Sequence, residues 1–380
     1  KAVLLATGGG PTMYKFHTPS GDKSCDGLSM ALDAGLALRD MEMVQFHPTG
    51  LLAGTGTRMT GTVLEEGLRG SGGYLLNGAG ERFMHAYDSR GERATRDIVS
   101  RSIFSEMRAG RTSPNGGVFI EMKHLGVDNV RNSFKGMVDR CADCGFDLAG
   151  GRVEVVPTAH YMMGGVVFDG DCRTSLPGLF AAGEDTGGVH GANRLGGNGV
   201  ANSTVYGGIA GDAMAMWVRK DGHWHAPDEA LIQQQVGAHD APLQRKHSST
   251  EPLREALYDL MWNDAGILRT KAGLQRAQSE LLALNEEIER VGVSADDRAF
   301  NLSWHDWLNL RSLIRVSQAI TTAALAREDS RGAHFREDFP LTGELETSRY
   351  TVVRKRGEAL ELTEQPVAFT RVRPGETLIT

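Results

Sequence analysis

The chain has 380 residues, 40% hydrophobic and 23% charged, enough to bury a sizeable core and to build two or three domains. A net charge of −7, with no basic run, excludes nucleic-acid binding as the main role. Only Cys25, Cys141, Cys144 and Cys172 are present, which excludes a disulfide framework and points to a reducing, cytoplasmic setting.

The stretch Val3-Leu-Leu-Ala6 reads as a buried parallel strand, ended by Gly8-Gly9-Gly10. A parallel strand needs neighbours, and this one starts at once without an initiator Met. The chain is therefore expected to be the C-terminal part of a longer protein. The usual G-x-G-x-x-G turn, with its ribose-binding acid, is absent. Residues 25–35 predict a helix entered through Asp26 and Gly27 and closed by Gly35. Residues 43–47 predict a short strand that Pro48 stops. A helix over 97–109 follows, then strands at 153–157 and 164–168. A helix of small residues runs from Gly199 to about Arg219, and the polar residues 221–250 read as a linker. Residues 252–290 and 304–327 carry apolar side chains at helical spacing, with Leu257, Leu260, Ile267 and Leu274 as core positions. Residues 350–380 alternate short apolar and polar runs and predict an edge hairpin. Cys141 and Cys144 form an isolated C-x-x-C pair, so no metal site is expected. No apolar run is long enough to cross a bilayer; contact with the inner face of a membrane is expected only through partner subunits.

Charge is concentrated in unusual places. Val189-His-Gly-Ala-Asn-Arg-Leu-Gly-Gly-Asn198 follows the apolar Leu179-Phe-Ala-Ala-Gly183 and the acid pair Glu184 and Asp185. Its glycines let backbone approach a ligand, amides at the start of the next helix favour anions, and Arg194 offers a planar fork to a carboxylate. Alone, the same residues also fit a solvated loop whose arginine caps a neighbour. Four more clusters share this character: Gln45-Phe-His-Pro-Thr-Gly50, Glu65-Glu-Gly-Leu-Arg-Gly-Ser-Gly-Gly73, Ala94-Thr-Arg-Asp-Ile-Val-Ser-Arg101 and Pro157-Thr-Ala-His-Tyr-Met-Met-Gly-Gly165. Singly, His47 reads as a hydrogen-bonded core residue, and Arg69 and Arg96 as partners of Glu66 and Asp97. Five in sequence order call for a common explanation.

Together with Ser330-Arg-Gly-Ala-His-Phe-Arg-Glu-Asp-Phe-Pro340, these clusters resemble the flavoprotein subunit of succinate dehydrogenase and fumarate reductase, a family that includes L-aspartate oxidase. The resemblance runs from Lys1 to about Pro340. It implies an α/β FAD-binding domain of the two-dinucleotide-binding type, an inserted α+β capping domain and a C-terminal helical bundle. The expected boundaries are 1–45 and 158–225 for the FAD-binding domain, 46–157 for the cap, 226–345 for the helical domain and 346–380 for a tail or hairpin. The cofactor implied is FAD, with Thr7, Gly8, Gly9, Asp26, Glu184, Gly199 and Val200 aligned with its contacts. The substrate implied is a small dicarboxylate held by His47, His160 and Arg194, whose fixed donors polarise it. The resemblance further implies that hydride passes between a substrate carbon and flavin N5, while Arg96 transfers the proton with Glu66 and Arg69 as its relay.

The implied activity is FAD-dependent interconversion of succinate and fumarate, with an L-aspartate-oxidase-like enzyme as the alternative. A non-catalytic fragment or scaffold is the reading of another class. An iron–sulfur partner subunit is also implied, because four scattered cysteines cannot build a cluster chain here. One departure bears on substrate. Where the family commonly has Thr before the relay glutamate, this chain has Glu65, which would repel a facing carboxylate by about 4 kcal/mol at intermediate dielectric. Thr60 or Thr62 would supply a hydroxyl if Glu65 turns away, or Arg58 would neutralise it. The expectations are an amino or otherwise modified acid, or a conventional dicarboxylate with Glu65 pointing outward.

Overall fold

A computed structural model describes residues 1–54, 57 and 59–376. Arg58 lies outside the described residues. In chain order come β1 (Val3–Leu5), α1 (Asp26–Asp33) and β2 (Leu38–Arg39). Then follow β3 (Val44–Leu51), α2 (Gly67–Gly70), β4 (Tyr74–Leu76), α3 (Met84–Tyr87), α4 (Arg96–Arg108), β5 (Val118–Glu121), α5 (Val127–Ser133), α6 (Lys135–Ala142) and β6 (Arg152–Met162). The last elements are β7 (Gly165–Val166), β8 (Leu179–Ala181), α7 (Asn198–Lys220), α8 (Glu229–Asp240), α9 (Glu251–Asp264), α10 (Lys271–Ile288), α11 (Leu302–Ala326), β9 (Arg349–Arg356) and β10 (Ala359–Pro366). Two units result: Lys1–Lys15 with Ser20–Val44 and Tyr161–Thr380, and Phe16–Pro19 with Gln45–His160.

The second unit is built on a sheet of order β3-β6-β5-β4. Val118 pairs with Val155 and Ile120 with Val153, so every second residue of β5 and β6 faces one core. Val99 and Ile103 of α4, one helical turn apart, are buried in that core, as are Leu51, Leu64 and Leu68. The strand expected to stop at Pro48 runs on to Leu51. β3 ends this order, and past Pro48 it is held by the Leu51 N–H donating to Thr62 O at 2.8 Å, the Leu64 N–H to Thr49 O at 2.9 Å and the Leu52 N–H to Glu154 O at 2.9 Å. β6 likewise continues past Pro157, and beyond the end of its pairing with β5 it is met by His17 in a parallel bridge to Ala159.

In the first unit β1 pairs in parallel with β8. The sequence predicts a buried strand, but Val3 is 63% exposed, because this sheet has two strands among the described residues. A second sheet, order β10-β9-β2-β7, contains the expected hairpin at its edge, turned at Gly357 with φ +59°. Leu257, Ile267 and Leu274 are buried, whereas Leu260 is only half-buried. Trp307 of α11 is fully buried and its indole N–H donates to Ile288 O at 2.8 Å. Residues 221–250 are more than a linker, since they contain α8. No residue of α8 is buried, so it has no apolar stripe to betray it; Asp228 caps it by accepting from the Leu231 N–H at 3.1 Å.

One buried ion pair ties three elements of this unit together. Glu42, just after β2, is fully buried and accepts from Arg327 Nε at 2.5 Å and from Thr351 Oγ1 at 2.7 Å. Arg327 follows α11 and Thr351 lies in β9. Arg327→Met should strand the Glu42 charge and destabilise the protein by about 3–5 kcal/mol, read as a lower urea midpoint. A loss below about 1 kcal/mol would show that the pair is dispensable.

Candidate active-site residues

Each unit carries part of the predicted set. In the second unit, β3 presents Gln45 and His47 on one face, two residues apart. Arg96 is the first residue of α4 and is 9% exposed. Its Nη2 and Nε donate to Glu66 Oε2 at 2.9 and 3.3 Å, and its Nη1 donates to Gln45 Oε1 at 3.1 Å. Arg69, only 2% exposed, donates from Nη2 to Glu66 Oε1 at 3.2 Å and from Nη1 to Glu92 O at 2.7 Å. One carboxylate thus bridges two arginines, one on each oxygen. Burial pushes Glu66 upward, but the hydrogen bonds and charge of Arg96, with Arg69 behind, outweigh it and hold Glu66 below the ordinary carboxylate range. Burial also lowers Arg69, against the opposing pull of Glu66. Asp97, the other candidate partner for Arg96, pairs with Arg101 at 3.3 Å one turn along the helix.

The two predicted histidines of this unit meet edge-on, with ring centroids 5.4 Å apart. His47 is buried and its Nδ1 accepts from the Thr49 N–H at 3.3 Å, so the proton sits on Nε2, which can donate. His160 Nδ1 lies 2.8 Å from Thr18 Oγ1. Thr18 is held beside β6 by its N–H, which donates to Ala159 O at 2.9 Å. Neither Thr18 nor Gln45 was among the predicted residues. Gln45 was visible within Gln45-Phe-His47; Thr18 carried no signal, because it meets His160 across 142 positions. Glu65 is exposed. The Thr60 hydroxyl is committed to its own loop, donating to Gly54 O at 2.9 Å and accepting from the Ala53 N–H at 3.2 Å.

In the first unit, Arg194 is 6% exposed, and its guanidinium carbon stands 4.4 Å from the centre of the Tyr161 ring. Its N–H donates to Met163 Sδ at 3.0 Å and its Nη1 to Leu195 O at 3.2 Å. His190, beside Tyr161, is pushed down to about 4 by burial and by the Arg194 charge, so it is neutral at pH 7.

The predicted flavin contacts lie in the same unit. Thr7 Oγ1 and the Gly8 N–H donate to the two oxygens of Asp185 at 2.8 and 3.0 Å. Asp185, fully buried, was quoted in the sequence as half of an acid pair without a role. Glu184 Oε1 accepts from the Met162 N–H at 2.9 Å, and burial pushes Glu184 up to about 7. A Cβ on Gly9 would stand 2.2 Å from that same oxygen, whereas Gly8, at φ +82°, has open space where its Cβ would be. Gly199 and the 75% exposed Val200 sit in the first turn of α7, which has no side-chain cap. Asp26 opens α1 and is half-buried. Asn202 Oδ1 is buried without a hydrogen-bond partner. An open glycine turn, an uncapped helix start and an unfilled buried acceptor fit a flavin nucleotide, which Gly8, Gly9, Glu184 and the start of α7 would hold. Among the described residues no three potential metal ligands cluster.

Comparison with known proteins points to the same cofactor, FAD. The FAD binding domain family matches residues 1–200, and the fumarate reductase flavoprotein C-terminal family matches residues 254–378. The chain is 39% identical to a chain of the fumarate reductase (CoM/CoB) of Methanothermobacter marburgensis, over 90% of this chain and 61% of that protein. It is 36% identical to L-aspartate oxidase 1 of Ralstonia nicotianae, again over 90% and 61%. A mutant of FrdA from E. coli quinol fumarate reductase superposes with a TM-score of 0.88 at 31% identity, covering 99% of this chain and 67% of that one. The chain therefore spans about three fifths of the length of the first curated relative. Gly9→Ala should push the Glu184 carboxylate from its place and lower the flavin bound per chain several-fold, measured as the ratio of visible to ultraviolet absorbance. Unchanged flavin content would remove Gly9 and Glu184 from the cofactor site.

Proposed function

The chain belongs to the flavoprotein family of fumarate reductases and succinate dehydrogenases, and from that premise we propose that it interconverts succinate and fumarate, or a close dicarboxylate. The observation that carries this reading is the Glu66 carboxylate bridged between Arg96 and Arg69. Bound FAD supplies the hydride acceptor and donor, flavin N5. In the reducing direction, with the flavin supplying hydride to one alkene carbon, Arg96 would deliver the proton to the other.

A guanidinium holds its proton tightly, so the surroundings must favour its release. Arg96 opens a helix of 13 residues, where the backbone dipole disfavours a cation. When Arg96 is neutral, Glu66 still has Arg69 on its other oxygen, so its half-buried carboxylate keeps a cationic partner. Gln45 fixes the remaining face of the guanidinium by accepting from Nη1. His47, with its proton on Nε2, His160 and Arg194 are the donors for substrate carboxylates and carbonyl oxygens. The intact array argues against a non-catalytic scaffold.

Electrons would pass to an iron–sulfur partner subunit, and membrane contact would be made through such partners; among the described residues no helix is long and apolar enough to cross a membrane. A second reading, an L-aspartate-oxidase-like enzyme, would require Glu65, an exposed acid next to the relay glutamate, to turn from solvent toward a substrate ammonium.

Anaerobic succinate should bleach the flavin absorbance of the holoprotein; bleaching by aspartate alone would transfer the assignment to the second reading. Glu66→Gln should lower kcat about 100-fold or more while flavin content and dicarboxylate affinity stay within twofold. A kcat within about tenfold of the parent would exclude Glu66 from the proton path. Glu65→Thr is expected to leave the preference for succinate over aspartate unchanged, because the side chain is in solvent; a reversal of preference would show that Glu65 reads the substrate.

A further inference from the structure

We propose that Tyr161 is a positioning residue for Arg194, the aromatic seat that fixes the guanidinium for a substrate carboxylate. The inference rests on the reading of Arg194 as a carboxylate-binding group. A free arginine side chain loses much rotamer freedom on binding a ligand, and a site gains affinity when that ordering is done beforehand. The Tyr161 ring does this from below, 4.4 Å from the guanidinium carbon.

The choice of an aromatic seat has a geometric reason. A hydrogen-bonded carboxylate would hold the guanidinium by its N–H edge, the same edge a bidentate substrate needs. A ring holds the flat face instead and takes none of the N–H edge, where Nη1 also donates to Leu195 O.

The ring itself is fixed on three sides. Asn202 Nδ2 donates to the Tyr161 hydroxyl at 3.2 Å and to Gly183 O at 3.1 Å. The hydroxyl's own proton is then directed to His190 Nε2, also at 3.2 Å, and the His190 ring meets the tyrosine edge-on at 5.2 Å. On the α7 side, a Cβ on Gly199 would lie 2.9 Å from Tyr161 Cε2, so glycine there lets the helix close on the ring. Two residues further along the chain, Met163 Sδ accepts the Arg194 N–H, so one strand end holds both the backbone and the side chain of this arginine. The preceding turn is braced as well, by the Ala333 N–H donating to Ala192 O at 2.9 Å.

The test compares flavin-loaded Tyr161→Leu, Tyr161→Phe and Arg194→Ala holoproteins, using malonate, which has no carbon pair to dehydrogenate, as the binding probe. Tyr161→Leu should weaken malonate binding and raise the substrate KM about tenfold, the loss of about 1.4 kcal/mol, with kcat within about threefold and flavin content unchanged. Tyr161→Phe keeps the ring but loses its hydroxyl anchors, and should weaken binding about threefold. Arg194→Ala should abolish malonate binding. If Arg194→Ala abolishes binding and Tyr161→Leu leaves it unchanged, the seat is overturned and the functional reading stands. If Arg194→Ala binds malonate normally, the functional reading itself falls. Should Tyr161→Leu lose flavin, Tyr161→Met, a second variant without a ring, decides: malonate affinity equal to the parent overturns the proposal.

Discussion

A half-buried carboxylate shared between two buried arginines is the interaction around which the second unit is arranged. Glu66 sits just before α2, Arg69 within it, Arg96 at the start of α4 and Gln45 on β3, so four short stretches must be held in register for the array to exist. The apolar core of β5, β6 and α4 supplies that rigidity. Ion arrays of this kind are weak evidence for stability, since desolvation offsets most of the Coulomb attraction. Their retention is better understood through chemistry: three ionisable groups in contact allow a proton to leave one of them without isolating a charge.

The first unit solves a related problem with different means. Arg194 is kept in place without spending its donating edge on a carboxylate, through a ring face, a thioether and a braced turn. Neighbouring acids are handled by burial and by backbone donors: Glu184 by the Met162 N–H, and Asp185 by Thr7 and Gly8. Raising Glu184 to about 7 lowers the charge it presents near Arg194 at neutral pH, which leaves the arginine as the dominant charge of its loop.

What the sequence made legible follows from how local each signal is. The hairpin of β9 and β10, the helices of the C-terminal region and the motif residues Glu66, Arg69 and Arg96 are encoded within short windows, by periodicity or by spacing. Thr18 beside His160 and Asn202 beside Tyr161 are not, because each pair is separated by many residues and Thr18 and Asn202 lie in no diagnostic pattern, although His160 and Tyr161 do. Pro48 misled for a different reason: a proline ends a strand by default, but β3 is held beyond it by hydrogen bonds to residues 62–64 and to Glu154, and those contacts are a tertiary fact. Helix α8 escaped because it buries nothing and so leaves no periodic trace.

Glu65 and Glu66 show how far environment outweighs residue type. They are adjacent and chemically identical, yet Glu66 is held ionised by two arginines while Glu65 stands in solvent. The repulsion expected between Glu65 and a substrate carboxylate is about 4 kcal/mol at contact in an intermediate dielectric, but about 1 kcal/mol in water. Ionic screening reduces an exposed charge further. With Glu65 exposed, the objection it raises to a plain dicarboxylate loses most of its force. Selection for an amino acid would require Glu65 to leave water and face the ligand, at a desolvation cost that only a substrate ammonium could offset.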